Sequence, residues 1–452
     1  MREILHALNQ IACLRPAATA ISDDLQSLSY GELANRAASL SFALKEAPQT
    51  IAIFAPNSVQ WIIADLALAL AGKTMVPLPT FFSTDQLTHI VQDSGAKLIL
   101  TTQDLMPKAK TLNKPIRLLS DSVESQAFPQ DLSLSEQSQR IIYTSGTTGA
   151  PKGVRIGSSQ ISASAKGLVK ASQADEKDRY LSILPFSLLL EQIAAICVPL
   201  LAGAPIVIAP NAANAATHGD LKPLIQAFEK HQPTVSVMVP QLLGAWVQGL
   251  LAMRMNAPQS LRFIAVGGAP VSPALSETAW QLGIPVHEGY GLSECCSVVS
   301  VNRPSARQPG TVGKPIEGTE ISIVDDEIVI TGPTVMQGYL GREDGKSQTW
   351  PTGDLGKINE NGNLIIFGRK DNLIVTQNGR NISPEWIETM AQDVSGVQTV
   401  KLHLTDQQKL TLSVTATSDV DVYSLEQSIR GCLNSAPEYA QPEIISIAKA
   451  TN

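Results

Sequence analysis

From residue 50 to residue 266, short apolar runs alternate with stretches of helical spacing, and this alternation restricts the fold more than any other feature. Residues 50–55 (TIAIFA), 97–100 (KLIL), 141–143, 206–209, 235–239 and 262–266 have the length and composition of strands. Residues 58–71, between the first two, carry an apolar face at helical spacing. Strands of four to six apolar residues without polar alternation belong in sheets covered on both faces. Strands that alternate with helices predict an α/β fold with buried, parallel-rich sheets.

The texture changes after about residue 310. Residues 320–324, 327–330 and 363–367 are short strand candidates separated by turn signals such as Asp325-Asp326 and Asn361-Gly362, which predicts antiparallel hairpins. From residue 371 onward, 384–392 and 425–433 read as helices and 400–404 and 410–416 as strands. That is enough for a small α+β domain. Residues 120–139, rich in Ser and Gln, read as an exposed connection.

Composition removes several function classes. Hydrophobic residues make up 44% and charged residues 17% of 452, so substantial cores can form. Lys plus Arg total 34 against 41 Asp plus Glu, a net charge of −7, and no basic run interrupts that balance. Nucleic acid and polybasic membrane surfaces are therefore not expected partners. Cys13, Cys197, Cys295, Cys296 and Cys432 show no CxxC spacing, which fits a reducing compartment rather than a disulfide or zinc framework. The N-terminus lacks the pattern of a signal peptide. Glu191, Gln192, Pro199, Gly203 and Pro205 break the most apolar stretch, 181–210, before it reaches the ~20 residues of a membrane span. The expectation is a cytoplasmic protein with no integral membrane segment.

Residues 143–154 read YTSGTTGAPKGV and follow a strand candidate. Glycines let a backbone approach an anion, hydroxyls and N–H groups donate to phosphate oxygens, and Lys152 adds positive charge. A Walker loop requires G-x-x-x-x-G-K-[ST], whereas Lys152 follows Pro151 and precedes Gly153. A G-x-S-x-G hydrolase elbow fails as well. A P-loop NTPase is thereby nearly removed as a rival.

The loop resembles the phosphate-loop signature of the adenylate-forming superfamily of acyl-CoA synthetases, nonribosomal adenylation domains and luciferases. The likeness continues along nearly the whole chain, in order. It takes in 28–33 (LSYGEL), 53–79, Gly267-Gly268-Ala269, 290–294 (YGLSE), 352–355 (TGDL) and 368–371 (GRKD). Such a resemblance implies a large multi-subdomain domain over 1–368, with parallel-rich sheets and a small β-barrel-like part, and a small mobile domain over 369–452. It implies ATP-dependent activation of a fatty or aryl carboxylic acid as an acyl-adenylate. Transfer to a pantetheine thiol, of coenzyme A or of an acyl carrier protein, would follow.

Carried onto this sequence, the resemblance implies that Thr144, Ser145, Gly146, Thr147, Thr148 and Gly149, with Lys152, hold the β- and γ-phosphates. Glu294, with Thr148, would hold Mg²⁺, a hard cation that prefers oxygen donors. Tyr290 would pack on adenine, with Gly268, Ala269, Gly291 and Ser293 around the nucleotide, and Gly267 would give the acyl group clearance. Asp354 would accept both ribose hydroxyls, and Arg369 would add a ribose or phosphate contact. Asp371 matches the hinge, and Gly379, within 377–388, would line the thiol's path. Lys152, Glu294 and Arg369 are the expected catalytic set.

Three departures stand out. Residues 184–192 (LPFSLLLEQ) resemble the fatty-acyl segment LPLSHxxEx with Leu188 at the histidine position, which implies a more open or more apolar acid pocket. Ser293 stands where the family usually has Thr. Residues 439–452 (YAQPEIISIAKATN) reach the family's late Pro and strand without its Gly-Lys pair, and Lys449 comes too early to replace it. Loss of one donor to developing charge costs on the order of 10²–10³ in rate. Two alternatives therefore stand beside the ligase: a thioester-forming partner that uses supplied acyl-adenylate, and a nucleotide-binding pseudoenzyme.

Overall fold

The computed structural model describes residues 1–120, 123–129, 138–144, 151–209, 211–212, 215, 220–342, 347–375, 381–405, 409–418, 420–434 and 436–450. Two sheets dominate. The first has six strands in the order Ile116–Leu118, Leu98–Thr101, Thr50–Phe54, Thr74–Pro77, Gln139–Thr144 and Lys152–Gly157. All neighbours are parallel except the last pair, an antiparallel hairpin that sets Thr144 opposite Lys152. Every residue of Ile51–Phe54 is buried, as an apolar run without alternation requires. The helix Val59–Leu70 follows directly, capped by the Ser58 hydroxyl, which accepts from Trp61 N–H.

The second sheet has nine strands. Its centre is parallel, in the order Val286–Leu292, Phe263–Val266, Val235–Met238, Tyr180–Ser182, Ile206–Ile208 and Thr19–Ser22. Antiparallel strands finish both edges: Ser27–Ser29 on one side, Ser297–Val301 and Lys314–Pro315 on the other. One apolar cluster joins the facing surfaces of the two large sheets, and a second fills the outer face of the first. The parallel-rich α/β architecture expected from the alternation is present.

The part expected to be barrel-like is a four-stranded antiparallel sheet, Glu320–Val324, Glu327–Thr331, Thr349–Ile358 and Leu364–Arg369, with its own small core. Farther along, Val397–Leu404, Leu410–Ala416 and Ile444–Lys449 form a three-stranded sheet against the helices Pro384–Gln392 and Val422–Leu433. Their core, from Ile382 to Ala440, is a separate cluster. Ser383 Oγ donates to Phe367 O across the junction. Among the described residues no helix is long and apolar enough to cross a membrane, and no disulfide joins the five cysteines.

Candidate active site

Alternate residues of a strand share one face, and the nine-stranded sheet uses this to build a cavity. Val235, Val237 and Val239 line it from one strand, and Phe263, Ala265 and Gly267 from the next. A helical roof closes the other side. Leu168 and Ser172 lie one turn apart on the helix Ser158–Ser172, and Leu190, Ala194 and Val198 recur every four residues through a wide-turn segment, Gln192–Cys197. A wide turn inside a helix often marks a functional site. The cavity holds about 280 Å³. It reaches the carboxyl ends of the parallel strands, where α/β sheets bind ligands. Leu188 lines it and is 37% exposed, so the residue at the expected histidine position stands at an opening.

Beneath the roof lies a fully buried acid, Glu191, which in the sequence marks only a break in the apolar stretch and a place in the matching segment. Glu191 accepts from Ser182 Oγ at 2.6 Å and Tyr180 Oη at 3.2 Å, and from the backbone N–H groups of Leu184 and Ile183. Burial outweighs those hydrogen bonds and raises its pKa from 4.5 to about 8. The folded chain thus keeps a proton that the unfolded chain releases. This contribution to stability is whole below pH 4.5 and is lost as pH rises through about 8. Glu191→Gln keeps the shape and removes the titration. Relative to the parent, the variant should gain on the order of 3–5 kcal/mol of unfolding free energy between pH 5 and pH 8.5. Urea unfolding at both pH values checks this, and an offset that does not change with pH would refute it.

Tyr290 joins the cavity to a charged rim. It lines the cavity, and its hydroxyl donates to Asp354 Oδ2. Burial, and then the charge of Asp354, push the Tyr290 hydroxyl well above its usual range, so it stays a donor. Asp354 Oδ1 accepts from Arg369 Nη1 at 3.0 Å, and the same nitrogen donates to Thr352 O at 2.9 Å. Burial disfavours the guanidinium charge, but Asp354 and then Asp371 more than compensate. Asp371 Oδ2 is 3.7 Å from Arg369 Nη2, on an exposed turn over Lys370–Asn372. The turn before Asp354 needs Gly353. Its φ is +73°, and a Cβ there would lie 2.9 Å from the Arg369 guanidinium. Glu327 secures that turn, accepting from Gly353 N–H at 2.9 Å and Lys370 Nζ at 3.0 Å.

The rim continues to Glu294, on a short turn over Ser293–Cys295. Tyr339 Oη donates to Glu294 Oε1 at 2.8 Å, and Met336 N–H donates to Glu294 O at 2.7 Å. The strand that begins at Lys152 is tied to the same segment. Leu340 N–H donates to Gly153 O, Arg155 N–H to Gly338 O, and Gln337 N–H to Arg155 O. Residues 336–340 are therefore a strap that fixes the Lys152 strand to the Glu294 turn. Tyr339 and Glu327 escaped the sequence analysis. The Gly338-Tyr339 pair, outside any periodic segment, is a signal that could have drawn notice to the first.

Among the expected site residues, Gly267, Gly268, Tyr290, Gly291, Ser293 and Leu188 all line the cavity. Gly291 admits no side chain, since a Cβ there would lie 1.7 Å from Ser297 O. Ala269 is exposed and does not line the cavity. Thr144 and Lys152 are paired at the end of their hairpin where the chain passes from one strand to the other. Ser145, Gly146, Thr147, Thr148, Gly149 and Gly379 lie outside the described residues. Lys449 ends the last strand and donates to Ser418 O at 3.3 Å.

Comparison with known proteins adds independent information. Residues 9–340 match the family described as AMP-binding enzyme. A 2-succinylbenzoate–CoA ligase of Bacillus cereus is 30% identical over 408 residues, covering 84% of this chain and 81% of the relative. The Bacillus subtilis enzyme of that name is 28% identical over 413 residues, covering 85% and 81%. An anthranilate CoA ligase bound to anthranoyl-AMP superposes with a TM-score of 0.84 at 19% identity, over 98% of this chain and 93% of that one. The o-succinylbenzoate CoA synthetase of Bacillus subtilis with its acyl-adenylate intermediate gives 0.81 at 24% identity, over 99% and 95%. These two likenesses establish the fold.

Proposed function

Because the chain belongs to the AMP-binding enzyme family, we propose that it joins a carboxylic acid to ATP as an acyl-adenylate, releases pyrophosphate, and passes the acyl group to the thiol of coenzyme A. One observation carries this reading. Tyr290 belongs both to an apolar cavity and to a charged rim with Asp354 and Arg369, so an acyl body and a nucleotide would meet at one residue.

In this reading the carboxylate of the acid attacks the α-phosphorus, and the bond to pyrophosphate breaks. The thiol sulfur then attacks the acyl carbon, and AMP leaves. Positioning and charge neutralisation supply most of the acceleration. Thr144 and residues 145–149, with Lys152, hold the outer phosphates. Asp354 accepts the ribose hydroxyls and Tyr290 covers adenine. A carboxylate has about four lone-pair sites. Tyr290 and Arg369 occupy one on each oxygen of Asp354, leaving one on each for ribose.

Glu294 brings a single carboxylate, and among the described residues no group of three or more His, Cys, Asp or Glu could cage a metal. This donor set fits Mg²⁺, which keeps water and takes one or two carboxylates together with phosphate oxygens. When bound it neutralises charge on the phosphates. Residues 1–368 hold ATP and the acid in this reading. Residues 369–452 close over them about Asp371, and Gly379 lies along the thiol's path. We assign the protein to the cytoplasm, where ATP and coenzyme A are available.

The test is pyrophosphate release from ATP and Mg²⁺ across monocarboxylic and dicarboxylic acids, with and without coenzyme A, and detection of the thioester by mass spectrometry. Acid-dependent release with thioester formation supports the proposal. Transfer from supplied acyl-AMP alone would replace it with the adenylate-accepting enzyme, and ATP binding without turnover would replace it with the pseudoenzyme. Transfer to a carrier protein but not to coenzyme A would change the acceptor. Ala265→Phe puts a ring into the cavity. It should raise the KM for the acid about tenfold or more while ATP affinity holds. Equal losses for both ligands would show that the cavity does not receive the acid.

A further inference from the structure

Building on that reading, we propose that the acid is a monocarboxylate with an uncharged body, and that the cavity rejects acids carrying a second carboxylate. The chain would then differ in substrate from the 2-succinylbenzoate ligases it resembles, whose named substrate carries two carboxylates. Only one of those is activated, so the other must be accommodated.

The walls offer it no counter-charge. Among the described residues that line the cavity there is no Lys, Arg or His, and the walls are mainly Leu and Val. Of the inner hydroxyls, Ser172 Oγ donates to Leu168 O and Tyr180 Oη to Glu191, which leaves Ser297 Oγ, a single neutral group with no hydrogen-bond partner among the described residues. Away from the rim, Arg262, His287 and Glu191 come close behind the lining, and none is a usable counter-charge. Arg262 touches the backbone of Ser172, but its guanidinium forks onto Asp178 and its other donors reach Ser172 O and Gln173 O. His287 stacks on Phe263 at 4.4 Å between ring centroids, and burial lowers its pKa to about 4, so it is neutral at pH 7. Glu191, bonded to the lining residue Tyr180, is an acid. Each ionised carboxylate brought here would lose its water without a partner, which is the most costly form of burial. Any ionisation of Glu191 would add repulsion.

Matched acids test this. Initial rates of acyl-CoA formation would be measured for octanoate against octanedioate and for 4-oxo-4-phenylbutanoate against 2-succinylbenzoate. The expected result is a kcat/KM at least about 100-fold higher for each monocarboxylate. Equal or better use of either dicarboxylate overturns the proposal and leaves the ligase reading in place. Binding of octanoyl- and 7-carboxyheptanoyl-sulfamoyladenosine, measured by calorimetry, separates the two claims further because it requires no turnover. A chain that turns over no acid yet binds the octanoyl compound about 100-fold more tightly loses the ligase reading and keeps the cavity's selectivity. Equal affinities overturn the selectivity whatever the turnover.

Discussion

Glu294→Gln is expected to lower acid-dependent pyrophosphate release by about 10²–10³-fold, the loss typical when a group that stabilises developing charge is removed. Glutamine keeps an oxygen for the Tyr339 hydroxyl, and Met336 N–H binds the main chain at this position, so the turn should survive. The charge is what disappears. A magnesium titration should show the difference, with half-maximal rate reached only at higher Mg²⁺. Tyr339→Phe makes the opposite change, keeping the charge and losing the hydrogen bond. It should cost about tenfold or less, as one net hydrogen bond allows. If Tyr339→Phe proves as damaging as Glu294→Gln, orientation of the carboxylate matters more than its charge. An unchanged rate in Glu294→Gln would remove Glu294 from the reaction.

Asp354→Ala should lower kcat/KM for ATP by about 100-fold or more, since hydrogen bonds to charged groups contribute about 1.5–3 kcal/mol each and two to ribose would go. The change also leaves the Tyr290 hydroxyl and Arg369 Nη1 without their shared acceptor. Comparing ATP with 2′-deoxy-ATP and 3′-deoxy-ATP separates these effects. The parent should discriminate strongly against both deoxynucleotides, and Asp354→Ala should discriminate against neither. Discrimination that persists in the variant would place the ribose elsewhere.

Most of the fold could be read locally because its signals are local. Residues 320–324, 384–392 and 410–416 are strand, helix and strand with the expected bounds. The strand Thr349–Ile358, which carries Asp354, was missed because Pro351, Gly353 and Gly356 break its alternation and a register shift follows Leu355. Only pairing on both sides, to Glu327–Thr331 and Leu364–Arg369, holds it extended. The order of the nine-stranded sheet was also hidden. Tyr180–Ser182 lies between Val235–Met238 and Ile206–Ile208, and no local pattern encodes such a crossover. At the site, glycine-bounded motifs marked Tyr290, Asp354 and Arg369, whereas Tyr339 matters only through a partner distant in sequence. The exposure of Ala269 followed from no pattern in its neighbours.

The strap at 336–340 has a consequence for the order in which the chain is made. Arg155 and Gln337, which it joins, are 182 positions apart. Contacts that close so long a loop form late, because the entropy of closure is lost before the contact is gained. A nascent chain that has emerged as far as residue 157 therefore has Lys152 but not the strap that fixes its strand to the Glu294 turn. Nucleotide affinity should appear only once synthesis has passed the strap. ATP would then favour the finished fold over every partly made one, in proportion to how fully its site is occupied.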